Sequence, residues 1–282
     1  MSNNLHDQIE QHFGQCPHSI RQLGGGMIGR VYQVVLPGER TIIAKVGDTP
    51  LSIEGYMLRY LAEHSALPVP DVLYSSDSLL LIEFVVGSSH FTVPAQRHAA
   101  QLLAALHEVS APLFGLERDT LIGSLHQPNP WTESWVDFFR EHRLIYMAGE
   151  ARRARILPDA LFARLEKLAA QIERWLIEPD APSLIHGDIW ATNVLAVDGR
   201  ITAFIDPAIY YGHAEMELAY VSLFNTFDSA FFQHYHRLRP LAPGFGEERR
   251  DLYNLYPLLV HVRLFGGGYV GSVERIVQGF GF

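Results

Sequence analysis

The chain has 282 residues, of which 48% are hydrophobic and 19% charged, and its formal net charge is −9. This length predicts about two domains or lobes, and the near-average composition excludes disordered, collagen-like and coiled-coil proteins. No apolar run approaches the roughly 18 residues of a membrane span, and residues 1–13 lack an export signal. The acidic charge argues against nucleic acid as a partner, and the single cysteine, Cys16, fits a reducing compartment. We therefore expect a cytoplasmic protein with no membrane or nucleic-acid partner, and the sequence leaves its oligomeric state open.

The first 90 residues are predicted to consist mostly of strands. Residues 31–46 are predicted to form a strand, a turn and a second strand, since a Pro-Gly turn separates two runs of β-branched and apolar side chains. Residues 52–63 carry apolar side chains at helical spacing. Two short apolar strands follow over residues 72–74 and 79–84. This pattern predicts an antiparallel sheet accompanied by one helix.

The character of the chain changes after the Gly-Ser-Ser segment at residues 87–89, which we interpret as a linker. Mostly helical patterns follow, and over residues 161–176 five apolar side chains advance by three or four, predicting one amphipathic helix. Residues 182–206 alternate between short apolar pieces and polar residues. We therefore predict an α+β protein of two lobes. The N-terminal lobe, residues 1–87, contains the sheet and its helix, and the C-terminal lobe, residues 88–282, is mostly helical.

A glycine-rich segment precedes the predicted hairpin and contains Gly24, Gly25, Gly26 and Gly29. Its spacing fits a dinucleotide-binding loop, a P-loop, the kinase loop that covers nucleotide phosphates, or a plain glycine-rich turn. A dinucleotide fold needs a helix directly after the glycines, and a P-loop needs Lys and Ser/Thr where Arg30 and Val31 stand. The strand that follows the glycines favours the kinase type, although this segment alone leaves the plain turn equally open.

Lysine is scarce in this chain, because only Lys45 and Lys167 occur among 22 basic residues. Lys45 interrupts the strand after the glycine hairpin, where kinases have the lysine that contacts the nucleotide phosphates. A buried ammonium needs an anionic partner, and Glu54 on the next predicted helix is the expected one. The alternative is an edge-strand lysine whose ammonium reaches water.

The segment most informative about chemistry is residues 186–193, with the sequence His-Gly-Asp-Ile-Trp-Ala-Thr-Asn. Asp188 and Asn193 have the spacing of the base and the metal ligand in a kinase catalytic loop. Asp206 ends a short apolar strand and is the expected carboxylate ligand of Mg²⁺. A capped turn is the alternative for one such loop alone. Together with Lys45, in this chain order, these residues favour phosphoryl transfer.

These segments resemble the aminoglycoside phosphotransferase superfamily, which is protein-kinase-like, and within it the fructosamine kinase, or ketosamine-3-kinase, family. The wider resemblance rests on residues 186–193 and Asp206. The narrower one rests on Trp190 and on residues 127–131, 135–143, 205–212 and 264–269.

The resemblance implies a bilobal fold that binds ATP and Mg²⁺ between its lobes. Residues 1–87 would then form the nucleotide-binding lobe, and residues 88–282 would carry the catalytic loop and the substrate site. The implied reaction phosphorylates a sugar hydroxyl of a ketosamine, the product of glycation of an amine, and so serves deglycation repair. By position, Asp188 is the base, Asn193 and Asp206 hold the metal, and Lys45 with Glu54 holds phosphate.

The same resemblance also implies where adenine and the acceptor bind. Backbone groups of the segment Glu83-Phe84-Val85 are expected to contact adenine. Trp190 is interpreted either as a stacking surface for the acceptor or as a packing aromatic.

The sequence also departs from the family near the expected substrate side. Many members have Asp-Arg-Glu and a later Asp where this chain has His213-Ala214-Glu215 and Glu217, and its glycine loop is less polar. Glu215 and Glu217 are candidates to attract a cationic, amine-bearing acceptor, and a solvated helix face is the alternative. The acceptor is therefore expected to be a small molecule or a glycated amine. An aminoglycoside or another hydroxyl compound is the runner-up, and a non-catalytic nucleotide-binding module or a dinucleotide oxidoreductase fits less well.

Overall fold

A computed structural model describes residues 2–26 and 29–282 of the chain. Its N-terminal part contains a five-stranded antiparallel sheet, in which β2 and β3 form the predicted hairpin. The strands are β1 (Ser19–Gly26), β2 (Gly29–Val35), β3 (Thr41–Val46), β4 (Val72–Ser75) and β5 (Leu79–Glu83). Their order across the sheet is β1-β2-β3-β5-β4.

Two helices, α1 (Ser2–Phe13) and α2 (Leu51–His64), cover the two faces of this sheet. Ile9 of α1 belongs to the same buried cluster as Ile42 of β3, whereas Leu58 of α2 packs with Leu80 of β5. Since successive side chains of a strand point to opposite faces, Lys45, three residues after Ile42, faces α2. The sequence predicted α2 but not α1.

The rest of the chain is mostly helical, with short antiparallel strand pairs between the helices. These strands are β6 (Thr120–Ile122), β7 (Leu125–Gln127), β8 (Ser183–Ile185), β9 (Val194–Val197), β10 (Arg200–Phe204) and β11 (Tyr210–Gly212). The helices are α3 (Val93–Leu106), α4 (Trp135–Phe139), α5 (Tyr146–Arg153), α6 (Asp159–Ala169), α7 (Ala214–Leu223), α8 (Ser229–Leu238), α9 (Arg250–Phe265) and α10 (Val270–Gly279). Strand β6 pairs with β7, β8 with β11, and β9 with β10. Among the helices of residues 2–26 and 29–282, none has the length and apolar character needed to cross a bilayer.

The helix predicted over residues 161–176 is shorter than expected. Helix α6 ends at Ala169, and Ile172–Arg174 forms a single 3₁₀ turn instead, so the prediction of one continuous helix is wrong. A 3₁₀ turn repeats every three residues rather than every 3.6. Ile172 and Leu176 nevertheless remain buried, so the apolar stripe identified the core-facing residues but not the end of the helix.

A buried polar network ties residues 127–131 to the rest of the helical part. Arg143 is fully buried, donates to Asn129 Oδ1 at 2.6 Å, and lies 3.8 Å from the centre of the Tyr210 ring. Gln127 donates through Nε2 to the carbonyl of Ala208 at 3.0 Å. This motif therefore supports the chain directly after Asp206, and its role in the structure is to hold that segment in place.

Candidate active site

Backbone hydrogen bonds join the two segments that carry the predicted catalytic residues. The N–H of Ala208 donates to the carbonyl of His186 at 2.8 Å, and the N–H of Ile205 donates to that of Asn193 at 3.0 Å. The pairing of β8 with β11 continues the same contact. As a result Asp206, distant in sequence from the His-Gly-Asp segment, lies beside it.

The backbone at two of these positions is left-handed, with φ +83° at Gly187 and +55° at Asp206. A Cβ at residue 187 would lie 2.2 Å from the carbonyl oxygen of Ala208, so glycine is required there on steric grounds as well. A left-handed aspartate carries local strain, of a kind that concentrates at functional sites. The fold thus imposes a special backbone geometry on both halves of the site.

Asp188 lies at the centre of a small hydrogen-bond network. Asn193 donates through Nδ2 to both the carbonyl and the Oδ2 of Asp188 at 3.0 Å, and the Tyr220 hydroxyl donates to Oδ1. Burial raises the pKa of Asp188 to about 7. The hydrogen bond from Tyr220 lowers this pKa and so offsets burial in part, whereas the nearby negative charge of Asp206 raises it further. A carboxylate with this pKa is suited to accept a proton near neutral pH.

Asn193 and Asp206 provide an oxygen donor set that fits Mg²⁺. Since the Nδ2 of Asn193 is directed at Asp188, its Oδ1 faces away from that carboxylate. The Asp206 carboxylate uses Oδ1 to bind Lys45, and its side chain is 31% exposed. Amide and carboxylate oxygens are the hard ligands that Mg²⁺ prefers.

Lys45 forms the predicted contact with Glu54, with Nζ 2.6 Å from Oε1. It also donates to Asp206, a contact the sequence did not predict. Burial lowers the pKa of Lys45, but the Asp206 and Glu54 charges outweigh it and hold that pKa above its usual value. An ammonium has three N–H donors, so one remains after these two contacts for a phosphate oxygen.

The glycine segment spans the end of β1 and the start of β2, as in the kinase-type template, and does not precede a helix as a dinucleotide fold requires. Gly24, Gly25 and Gly26 end β1 and pair with β2, and Gly29 lines the cavity next to Lys45. The tip of the predicted loop, Met27 and Ile28, lies outside the described residues.

The segment predicted to contact adenine follows β5. The N–H of Glu83 donates to the carbonyl of Asp71 at 2.9 Å, so this group of Glu83 is already engaged. Phe84 and Val85 are half-buried, and the cavity lining in the described part of the chain does not include Glu83, Phe84 or Val85. The adenine contact stays a prediction.

Glu215 and Glu217 do not form the solvated helix face that was the alternative to an acceptor site, because both are only 2% exposed. Arg249 donates to both carboxylate oxygens of Glu215 at 2.7 Å. Glu217 accepts the N–H of Gly187 at 2.6 Å and lies 2.9 Å from Nε2 of His107. Neither glutamate lines the cavity. They bind groups inside the protein instead of attracting an acceptor, and Glu217 supports the catalytic segment directly.

His213 caps α7, because its Nδ1 accepts the Glu215 N–H at 3.1 Å. The same side chain makes the stability of the protein depend on pH. Burial and the Arg249 charge lower its pKa from 6.5 to about 3, although Glu215, bound to Arg249, lies 3.9 Å away. Below pH 6.5 the unfolded chain binds a proton that the folded protein does not, so stability falls on acidification from 6.5 toward 3. We expect His213→Asn, which keeps a capping oxygen, to remove roughly 1 kcal/mol of this loss per pH unit.

Urea denaturation of both proteins at pH 7, 6 and 5 measures this effect. Parallel stability curves for the wild type and His213→Asn would contradict it.

One cavity of about 620 Å³ brings together part of the candidate set, namely Gly29, Lys45, Glu54, Asp188, Asn193 and Asp206. Trp190 is half-buried and lines the same cavity. Sequence reasoning missed other lining residues, among them Tyr220, His261, Leu264 and Phe265. Leu264 and Phe265 belong to a segment that carried the family resemblance, so a signal for them existed, whereas nothing in the sequence marked Tyr220.

Comparison with known proteins agrees with this geometry. The fructosamine kinase family model matches residues 1–280. A probable ketoamine kinase of Synechocystis is 35% identical, over 96% of this chain and 94% of that protein. The chloroplastic protein-ribulosamine 3-kinase of Arabidopsis thaliana is 31% identical, over 83% of this chain and 73% of that protein.

Solved structures show the same architecture. A Thermobifida fusca protein classed as a candidate fructosamine-3-kinase has a TM-score of 0.88 and 29% identity, covering 98% of both chains. The aminoglycoside phosphotransferase APH(4)-Ia, in complex with ADP and hygromycin B, has a TM-score of 0.73 at 20% identity, covering 99% of both chains. At that identity the second likeness concerns the fold alone.

The fold is therefore the α+β, bilobal fold of protein-kinase-like phosphotransferases, as the sequence predicted. The chain belongs to the fructosamine kinase family.

Proposed function

We propose that this protein uses ATP and Mg²⁺ to phosphorylate a sugar hydroxyl of a small ketosamine, as a step in the repair of glycated amines. The observation that carries the proposal is the convergence of Asp188, Asn193, Asp206 and the Lys45–Glu54 pair on one cavity. Relatives named ketoamine and ribulosamine kinases support the choice of acceptor.

The proposed chemistry begins at Asp188. Its carboxylate accepts a hydrogen bond from the acceptor hydroxyl, aligns that oxygen with the γ-phosphorus, and takes the proton as the new O–P bond forms. The bond between the γ-phosphorus and the bridging oxygen of ADP breaks in the same step. The free N–H of Lys45 donates to a phosphate oxygen. Mg²⁺ bound to Asn193 and Asp206 would neutralise phosphate charge, which is the main requirement of phosphoryl transfer.

The lobe boundary and the location of the protein belong to the same proposal. We place the boundary near residue 87, so that residues 1–87 supply the glycine segment and Lys45 while residues 88–282 supply Asp188. Phe84 and Val85, directly before this boundary, would contact adenine through their backbone. A cytoplasmic location agrees with the single exposed cysteine.

A transfer assay with radiolabelled ATP tests the proposal. The acceptors are fructosamine and ribulosamine derivatives of simple amines, with aminoglycosides as the competing class. We expect transfer to the ketosamines in the presence of Mg²⁺ and its loss on chelation. Transfer to aminoglycosides alone would show that the acceptor has been assigned wrongly.

Tyr220→Phe tests the hydrogen bond to Asp188 without removing the aromatic ring. Burial raises the pKa of Tyr220 well above its usual value, so its hydroxyl stays protonated and donates. We expect kcat to fall by about tenfold, since the loss of one hydrogen bond to a charged group is worth about 1.5 kcal/mol. The KM for ATP should be unchanged.

Tyr253→Phe is the matched control for Tyr220→Phe, because it removes a buried hydroxyl that contacts Trp135 Nε1 at 3.0 Å. Steady-state kinetics on both variants provide the measurement. An equal loss of kcat in the two would mean that the effect is one of general packing.

A further inference from the structure

One side of the cavity is built from aromatic rings that continue outward from Asp188. Tyr220, which donates to Asp188, lies 5.6 Å from the ring of Phe224. Phe224 in turn lies 4.7 Å from His261, and His261 lies 5.2 Å from Phe265. Tyr220, His261 and Phe265 line the cavity together with Trp190, and we call these four residues the aromatic wall.

Phe265 is the outermost member of the aromatic wall and is 53% exposed. It is the last residue of α9, and the helix stops there because Gly266 adopts φ +91°. Leaving a phenyl ring in water costs free energy that burial would recover. An exposed phenyl ring on the lining of a cavity that also contains Asp188 therefore offers a ligand an apolar contact surface.

The charges around the cavity are already engaged. The charged side chains that line it in the described ranges are Lys45, Glu54, Asp188 and Asp206. Lys45 binds Glu54 and Asp206, and Asp188 is the proposed base. No further carboxylate lines the cavity within residues 2–26 and 29–282.

His261 adds no positive charge to the aromatic wall. Its Nδ1 donates to the carbonyl of Pro257 at 2.8 Å, and burial lowers its pKa, so the ring is neutral at neutral pH. The side of the cavity beyond Asp188 is thus aromatic, apolar and uncharged.

We propose that the aromatic wall binds the amine-side substituent of the acceptor, and that the enzyme prefers ketosamines with one positive charge and an aromatic or apolar substituent. This inference rests on the proposed function. The ketosamine nitrogen is a secondary amine that carries a single charge when protonated. Aromatic faces stabilise one such cation, and an apolar substituent beside it covers Phe265. Additional ammonium groups would lose water at this surface without gaining a carboxylate partner.

Three ketosamines made from one sugar separate these requirements. The adduct of benzylamine has an aromatic substituent, that of butylamine an apolar one, and that of 1,4-diaminobutane a second ammonium. We expect the benzylamine adduct to bind about tenfold more tightly than the diaminobutane adduct, with butylamine between them. Calorimetry gives the dissociation constants, and transfer assays give kcat/KM for the same series.

Phe265→Ala tests the exposed ring itself. We expect it to remove most of the benzylamine preference while leaving the KM for ATP unchanged. Leu238→Ala is the matched control, because Leu238 is also exposed, at 49%, lies on α8 and does not line the cavity. The control should keep the wild-type order of acceptors.

The outcomes distinguish this inference from the proposed function. The proposal that the aromatic wall binds the amine-side substituent would be overturned by any of three results. These are equal affinities across the series, a preference for the diaminobutane adduct, or an equal effect of Phe265→Ala on all three adducts. Those results leave the ketosamine assignment standing if phosphate is still transferred. Tight binding of ketosamines without transfer to any of them would overturn the proposed function instead.

Discussion

Asp188→Asn is expected to lower the rate of phosphoryl transfer by about 10³-fold, within the range typical for loss of a general base. An amide has nearly the shape of the carboxylate but only one acceptor oxygen, so it keeps one of the hydrogen bonds from Tyr220 and Asn193. It cannot take the proton of the acceptor hydroxyl. Nucleotide binding should remain within about twofold of the wild type, because the Lys45 contacts are unchanged. Single-turnover transfer assays and calorimetric titration with ADP measure the two quantities separately.

Asp198→Asn is the matched control for this change. Asp198 is exposed in the turn between β9 and β10, and its φ of +47° is one that asparagine adopts readily. It should therefore keep full activity. A residual activity above one tenth in Asp188→Asn would exclude Asp188 as the base.

Lys45→Ala is expected to have the second largest effect and to act on both activity and stability. Loss of the ammonium removes the proposed phosphate contact and should lower kcat/KM for ATP by at least about 10²-fold. It also leaves Glu54, which is buried, without its charge partner. Breaking a buried pair in this way typically costs about 3 kcal/mol of unfolding free energy. Kinetics and urea denaturation of the same preparation report the two effects.

Lys167→Ala is the natural comparison, because Lys167 is the other lysine of the chain and lies exposed on α6. It should change neither quantity. Lys45→Arg keeps the charge beside Glu54 and so most of the stability, but the larger guanidinium does not replace a compact ammonium. We expect it to remain at least tenfold less active. Equal effects of Lys45→Ala and Lys167→Ala would count against the whole site.

The parts of the site that could be predicted are those whose residue types and spacing follow from the chemistry. The hairpin of β2 and β3 fixed the position of Lys45, and its expected contact with Glu54 is present. The five-residue spacing of Asp188 and Asn193 likewise corresponds to a direct hydrogen bond. Such local patterns carry enough information because neighbouring residues in the chain are also neighbours in the structure.

The environment of α7 could not be predicted in the same way. Every residue from 214 to 221 is buried, so this part of α7 exposes no face to solvent, and its sequence shows no amphipathic period. Glutamates usually face water, and their burial here depends on Arg249 and His107, distant in sequence. The same holds for the contact of Lys45 with Asp206 across 161 residues.

The hydrogen bonds of Glu217 to the catalytic segment restrict how that segment can open. Its carboxylate accepts the N–H groups of His186 and Gly187, and His107 links it onward to Tyr235 of α8 at 2.7 Å. These two amide protons can exchange with solvent only after the buried Glu217 carboxylate has released them, so motion confined to the loop cannot expose the two N–H groups. In deuterium labelling, residues 186 and 187 should therefore exchange together with the core of α7 and not with the surface turns. The segment that carries the proposed base would then open only when part of the helical core opens with it.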